Sequence, residues 1–343
     1  MNKLSASLSL DLDNKWSYLK THGDEGWESF PSYLDSVVPF VLEILSDLNL
    51  TITVFVIGQD AILPKNHGAL AQIAKAGHEI GNHSFHHEPW LHLYSEAKLS
   101  AEFTAAEEAI HLATGKKTIG FRGPGFSFSP SVLRCLADRG YLYDASTFPT
   151  YLGPVARAYY FLSTQLDDEK RSERKNLFGS FTEGFRPLKP YRWEFPAGSQ
   201  TPPLIEIPVT TIPWVRVPFH LSYLLYLASY SETLAWAYWK FALTCCRISG
   251  VAPSLLLHPL DFLGGDEELD LSFFPAMGLK GTVKRAFAKA VLADFARVYE
   301  VVPMADFAHQ IDRLGRLKAR PVPAAPPLAK PTGTQPVRAE GLR

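Results

Sequence analysis

Residues 51–82 read TITVFVIGQDAILPKNHGALAQIAKAGHEIGN. The β-branched and aromatic run 51–57 stops at Gly58, the pattern of a buried strand. Residues 67–76 read as a helix closed by Gly77, and 79–82 as the next strand. A strand, a helix and a second strand in this order predict a parallel pair joined by a crossover. The rhythm extends outward in both directions. Toward the N-terminus, 7–12 reads as a first strand. Residues 33–48 carry Val38, Val41, Leu42, Leu45 and Leu48 at helical spacing, with Pro39 marking a start or a kink. Toward the C-terminus, Leu99, Phe103, Ala106, Ile110 and Ala113 form one helical stripe ended by Gly115. A strand at 118–122 follows, then a helix opened by Ser129 and Pro130 and ended by Gly140. Strands at 204–210, 254–258 and 299–302, with helices near 231–248 and 282–297, continue the pattern. The fold class predicted is α/β, and seven or eight strand candidates favour a closed barrel over an open sheet.

Two segments break the rhythm. Residues 150–203 contain DDEKRSERK and then GFRPLKPYRW, and read as a lid-like insertion in a catalytic domain spanning 1–316. Residues 317–343 carry six prolines between Pro321 and Pro336 and are expected to be a disordered tail.

Composition narrows the function. Lysine plus arginine number 34 against 35 acidic groups, so no general attraction for nucleic acid is expected. The three cysteines, Cys135, Cys245 and Cys246, form no CxxC, which argues against a disulfide framework or a thiolate zinc site. The N-terminal MNKLSASLSLDLDNKW lacks the apolar core of a signal peptide, and no run of eighteen apolar residues occurs. A cytoplasmic protein is expected. The stretch 219–248, rich in Leu, Tyr and Trp, reads as core helices, with a membrane-facing surface at the inner membrane face as the sharper alternative.

Chemistry concentrates in a few short motifs. Six of the eleven histidines fall between His67 and His92, most densely in GNHSFHHEPW. On a helical turn His83 and His87, four apart, would share a face and reach one metal ion. In LSLDLD the alternation of Leu8, Leu10 and Leu12 with polar residues puts Asp11 and Asp13 on one face. Two such carboxylates repel unless a cation or a proton intervenes. One carboxylate and two imidazoles leave a coordination position open, as in catalytic rather than structural sites, and free the other carboxylate as a general base. Arg122 in FRGPGF stands where it could hold a carboxylate. His258 in LLLHPLDF suits a proton donor, and Asp144 in YDAS suits a partner that orients an imidazole.

In the order LDLD, HSFHH, FRGPG, YDAS and LLLHP, these motifs resemble those of the NodB-type polysaccharide deacetylases, carbohydrate esterase family four, over roughly residues 5–310. HSFHH fits the family's H-S/T-x-x-H residue for residue, and D-L-D places the chain with the DxD subgroup. The resemblance implies a distorted (β/α) barrel of about seven parallel strands. It implies Asp13, His83 and His87 as metal ligands, Asp11 as general base, Arg122 as its partner, His258 as general acid and Asp144 as the orienter of His258. The implied cofactor is one divalent ion, zinc by default, with cobalt, nickel or iron also suited. The third motif reads Arg-Gly-Pro-Gly where the family has Arg-x-Pro-aromatic-Gly. The implied reaction is N-deacylation of an amino sugar, with Trp90 and Pro124 as substrate contacts. A further likeness, to the deformylase of undecaprenyl-phosphate-linked formamido-arabinose, suggests a sugar-lipid whose phosphate would meet Arg186, Lys189 and Arg192. The rival readings are a hydrolase of a small cyclic amide or imide in the same superfamily, and a catalytically silent metal- or sugar-binding protein.

Overall fold

The computed structural model describes residues 3–152, 181–196 and 198–323. Seven parallel strands carry the architecture. In spatial order they are β8 (Ser254–Leu257), β1 (Ser5–Asp11), β2 (Thr53–Val56), β3 (Glu79–Asn82), β4 (Gly120–Phe121), β5 (Tyr143–Asp144) and β7 (Leu204–Glu206). Just beyond β7, the Thr210 N–H donates to Ser254 O at 3.0 Å, and the Ser254 N–H donates to Thr210 Oγ1 at 2.8 Å. These two bonds bring the last strand back to the first. The expected α/β barrel is therefore present, irregular because β4 and β5 are two residues long and closure rests on so few bonds.

Three further strands extend this ring. β9 (Glu300–Val302) pairs with the start of β1. β6 (Tyr191–Glu194) runs antiparallel to β7, and β10 (Lys318–Pro321) lies parallel to β6. The end of the segment expected to be a lid is thus a sheet strand, while its part at 153–180 lies outside the described residues. β10 also corrects the tail boundary expected at 317. The backbone there finds partners along β6, and Val322 donates to Glu194 O and packs against the apolar cluster that contains Tyr191 and Trp193. Residues 324–343 lie outside the described residues.

Among the described residues ten helices surround the sheet: α1 (Lys15–His22), α2 (Leu34–Asp47), α3 (Gly58–Ala61), α4 (His67–Lys75), α5 (Glu96–Thr114), α6 (Pro130–Asp138), α7 (Leu221–Ala228), α8 (Glu232–Ser249), α9 (Gly281–Val298) and α10 (Met304–Arg313). Along β1 the period of two decides which face meets them. Leu8 and Leu10 join the apolar layer formed with Val38, Val41 and Leu45 of α2, whereas Ser9 and Asp11 turn to Arg122. Each leucine so buried contributes roughly 1.5–3 kcal/mol. Phe55, Tyr143, Met304 and Phe307 pack together, placing the start of α10 against β2 and β5. Glu79 fixes that contact by accepting from Tyr143 Oη at 2.9 Å and from Ala305 N at 2.9 Å. The apolar stretch at 219–248 folds mostly inward: Leu221, Leu224, Leu225 and Trp239 are buried, and Tyr226, Tyr230 and Leu234 are exposed. Among the described residues no helix is long and apolar enough to cross a membrane.

Candidate metal centre

Asp13 follows β1, His83 follows β3, and His87 lies in the loop after it. One ligand atom from each of the three lies within 4.8 Å of the others. Asp13 Oδ1 is 3.3 Å from His83 Nε2 and 3.1 Å from His87 Nε2. Asp13 Oδ1 and His87 Nε2 are buried and make no hydrogen bond, a costly arrangement unless another group satisfies them. A divalent cation fits this donor set, which offers one hard oxygen and two imidazole nitrogens. Burial pushes the Asp13 carboxyl up, but the His87 and His83 imidazoles outweigh it and hold the carboxyl well below the usual carboxylate range.

The two histidines do not converge through a helical turn, as their spacing suggested. Residues 83–88 form no helix. Ser84 and His87 adopt left-handed φ angles of 63° and 54°, which fold the loop back on itself. Such positions cost non-glycine residues of order 1–3 kcal/mol, so the surroundings must hold them. Glu102, a buried residue of α5, does so. Its Oε1 accepts from Phe85 N at 2.9 Å and His86 N at 2.7 Å, and its Oε2 meets His86 Nδ1 at 2.7 Å. The Ser84 hydroxyl accepts from His87 N at 3.1 Å. Sequence reasoning missed Glu102. The available signal was a carboxylate at the edge of the apolar stripe of Leu99, Phe103 and Ala106. Behind Asp13, Tyr33 Oη donates to the Asp13 carbonyl at 2.6 Å, and Asn14 Nδ2 donates to buried Asp60 at 2.7 Å.

Asp11 lies beside this cluster and faces Arg122. The fully buried guanidinium donates through Nη1 to Asp11 Oδ1 at 2.6 Å and to Ser9 Oγ at 2.8 Å, and through Nε to Ala145 O at 3.0 Å. It also stacks over the Phe55 ring. The Arg122 carbonyl lies 2.6 Å from His83 Nδ1, which fixes the tautomer and directs Nε2 toward Asp13. In the same loop, a Cβ on Gly123 would meet Ser127 O at 2.0 Å, so only glycine fits there. Pro124 is buried at the start of the following turn, and Trp90 is half-buried at the start of the turn Leu91–Leu93. Phe126, one residue past the Arg-Gly-Pro-Gly, stacks on Phe148 at 4.6 Å, and Phe148 faces His220. An aromatic row therefore stands beside the Arg122 loop.

His258 ends β8. Its Nδ1 lies 3.2 Å from Ser222 Oγ, and its ring centre is 5.6 Å from that of His220. Asp144, expected to orient it, stands elsewhere. Tyr143 packs with Phe55, so Asp144 turns to the opposite face, where it accepts from Ser146 Oγ at 2.5 Å and meets Glu206. Burial pushes the Asp144 carboxyl up to about 6 and that of Glu206 well above its ordinary value. Arg186, Lys189 and Arg192 do not converge either. Arg186 pairs with Glu183 and stacks on Phe128, Lys189 approaches Gly250, and Arg192 pairs with Asp312.

Residues 23–143 match the family model described as polysaccharide deacetylase. Over 110 residues the chain is 32% identical to the peptidoglycan-N-acetylmuramic acid deacetylase PdaA of Bacillus subtilis (strain 168), covering 32% of this chain and 41% of that protein. The chain thus spans about two fifths of that curated relative's length. Two solved structures share the fold. A candidate polysaccharide deacetylase from Mycobacterium smegmatis superposes with a TM-score of 0.58 at 19% identity, covering 95% of this chain and 98% of that one. Puue allantoinase superposes with a TM-score of 0.53 at 17% identity, covering 90% of each chain.

Proposed function

We propose that this chain, whose residues 23–143 match the polysaccharide deacetylase family model, is a metal-dependent hydrolase of the NodB-type superfamily. It removes an N-acyl group, acetyl or formyl, from an amino sugar of a cell-envelope polysaccharide or glycolipid precursor. The observation that carries this reading is the convergence of Asp13, His83 and His87, with Asp13 Oδ1 and His87 Nε2 buried and without a hydrogen bond, beside the Asp11–Arg122 pair.

A divalent cation held by Asp13, His83 and His87 supplies, when bound, a water of lowered pKa and a polarised acyl carbonyl, with zinc the default. Asp11 takes the proton from the attacking water, and Arg122 holds that carboxylate in place through its Nη1 donor. His258 donates a proton to the departing amine, which is otherwise a poor leaving group. Trp90, Pro124 and the Phe126–Phe148 stack offer apolar faces to a sugar ring. A lipid phosphate would have to compete with Glu183 for Arg186 and with Asp312 for Arg192, so the acylated sugar is the better supported part of the substrate.

The test measures acetate or formate release from N-acetyl and N-formyl amino sugars, both as soluble oligomers and as prenyl phosphates. The expected result is release by the wild type, and loss of about 10²-fold or more in Asp11→Asn with metal retained. Release from a small cyclic amide, with none from any acylated amino sugar, would overturn the reading.

A further inference from the structure

The peptide unit that joins Arg122 to Gly123 is held at both of its polar ends. Its carbonyl, Arg122 O, lies 2.6 Å from His83 Nδ1. Its N–H, on Gly123, donates to Ser146 Oγ at 2.8 Å, and the Ser146 hydroxyl donates to Asp144 Oδ1 at 2.5 Å. The directions follow from the groups. A carbonyl and a carboxylate accept only, a backbone N–H donates only, and a serine hydroxyl has one proton to give. His83 therefore carries a proton on Nδ1, and Nε2 is the nitrogen left to face Asp13 Oδ1. Because a peptide unit is planar, fixing its N–H also fixes the line of its C=O. Asp144, Ser146, Arg122 and His83 are all buried, so successive bonds in this chain strengthen one another.

We propose that Asp144, acting through the Ser146 hydroxyl and the Arg122–Gly123 peptide, is a positioning residue of His83, fixing its tautomer and raising the basicity of Nε2. The inference rests on the metal-ligand role given to His83 above. A carboxylate at the far end of the chain makes the imidazole a better donor to a cation, as carboxylates behind metal-binding histidines do. The same short segment grips Arg122 a second time, since Ala145 O accepts from Arg122 Nε at 3.0 Å. Residues 144–146 thus set both the carbonyl that meets His83 and the guanidinium that holds Asp11. Asp144 can be the anionic end because its neighbour keeps the proton. Asp144 and Glu206 are register partners on β5 and β7, and both are fully buried. Thr147 donates to Glu206 through N at 3.0 Å and Oγ1 at 2.6 Å, and Trp193 through Nε1 at 2.9 Å, but burial and the Asp144 charge outweigh them. Glu206 is pushed well above its ordinary value and Asp144 by burial only to about 6, so at neutral pH Glu206 is the neutral acid and Asp144 the carboxylate.

The experiment combines equilibrium dialysis with zinc and ¹H–¹⁵N NMR of the full chain, the His83 ring being assigned by its absence in His83→Gln. The wild type should show a slowly exchanging Nδ1–H on His83 and a protected Gly123 amide. Ser146→Ala breaks the chain. Its Kd for zinc should rise about 10–100-fold, its Nδ1–H resonance should move upfield, and its Gly123 amide should exchange faster. Asp144→Asn keeps an oxygen for the Ser146 hydroxyl but not the charge, and its Kd should rise about 10-fold with the resonance moved the same way. Ser146→Thr keeps the hydroxyl and should restore the wild-type values. Should Ser146→Ala not fold, Asp144→Asn, which removes no bond, carries the test. Either variant with the wild-type Kd and an unmoved Nδ1–H resonance would overturn the proposal, as would a wild-type His83 with no proton on Nδ1. If the wild type binds no zinc, the metal reading fails by itself, and the Nδ1–H and Gly123 signals of the metal-free proteins still decide for or against the Asp144–Ser146 chain.

Discussion

Arg122 presents two different groups to two neighbours: its carbonyl lies 2.6 Å from His83 Nδ1, while its guanidinium holds Asp11 at 2.6 Å. The backbone orients a metal-ligand candidate, and the side chain orients the proposed base. A substitution of the side chain separates the two. Arg122→Met leaves Asp11 buried without its cation and should cost about 3–5 kcal/mol of unfolding free energy. Adding Asp11→Leu should recover part of that loss, because a buried apolar pair lacks the desolvation cost of a lone charge. Urea denaturation of the two variants checks this. Zinc affinity should change far less in Arg122→Met than in variants of the three ligands, since the carbonyl remains.

Glu102 governs the loop rather than the chemistry. In Glu102→Ala two backbone donors, Phe85 N and His86 N, lose their acceptor, at about 1–3 kcal/mol each. The left-handed turn at Ser84 and His87 then loosens, and metal affinity should fall about 10–100-fold, as for other groups supporting metal ligands. Glu102→Gln keeps one oxygen for both donors and should restore most of the affinity. Equilibrium dialysis with zinc distinguishes the three proteins.

How much of this was visible in the sequence depends on how local each signal is. The parallel strands were legible because TITVFVI and LSLDLD carry their period within a few residues. The candidate ligands were legible because His83 and His87 share one loop, and alternation along β1 fixes the face of Asp11. Asp144 shows the limit. β5 has two residues, too few to show which of Tyr143 and Asp144 points inward, and packing of Tyr143 on Phe55 decides it. The route by which His87 reaches Asp13 was hidden too, since a left-handed histidine leaves no mark such as a glycine would. Ser222 is a single polar residue 36 positions from His258 on a separate element, and only the barrel brings the two together.

Metal binding should separate Asp13 from Asp11 although they are two residues apart. Asp13→Asn and His87→Ala each remove one of three ligands and should lose zinc at concentrations that saturate the wild type. Asp11→Asn should retain it, because Asp11 is engaged by Arg122. Zinc should raise the Tm of the wild type in proportion to ln(1 + [Zn]/Kd) and leave Asp13→Asn unmoved. Metal analysis after gel filtration, together with thermal unfolding, reads both effects. An Asp13→Asn protein holding one equivalent of zinc as firmly as the wild type would contradict the assignment.

Asp60 should give metal-free protein a pH dependence whose sign follows from its surroundings. Burial pushes its carboxyl up to about 7, against the opposing hydrogen bonds from Asn14 and Trp16. One oxygen accepts from Asn14, Trp16 and Asn66, and the other has no partner, so the site accommodates the neutral acid. The folded state therefore keeps a proton that the unfolded chain has released above about pH 4. Stability from this group is lost as pH rises from the unfolded value through about 7. Between pH 5 and pH 8 the loss amounts to about 2–3 kcal/mol. Asp60→Asn keeps an accepting oxygen for the same three donors and cannot ionise. With chelator present, its urea-unfolding free energy should fall less over that interval than the wild type's, by about this amount. Parallel pH curves for the two proteins would mean that Asp60 is ionised throughout and that Asn14 and Trp16 outweigh its burial.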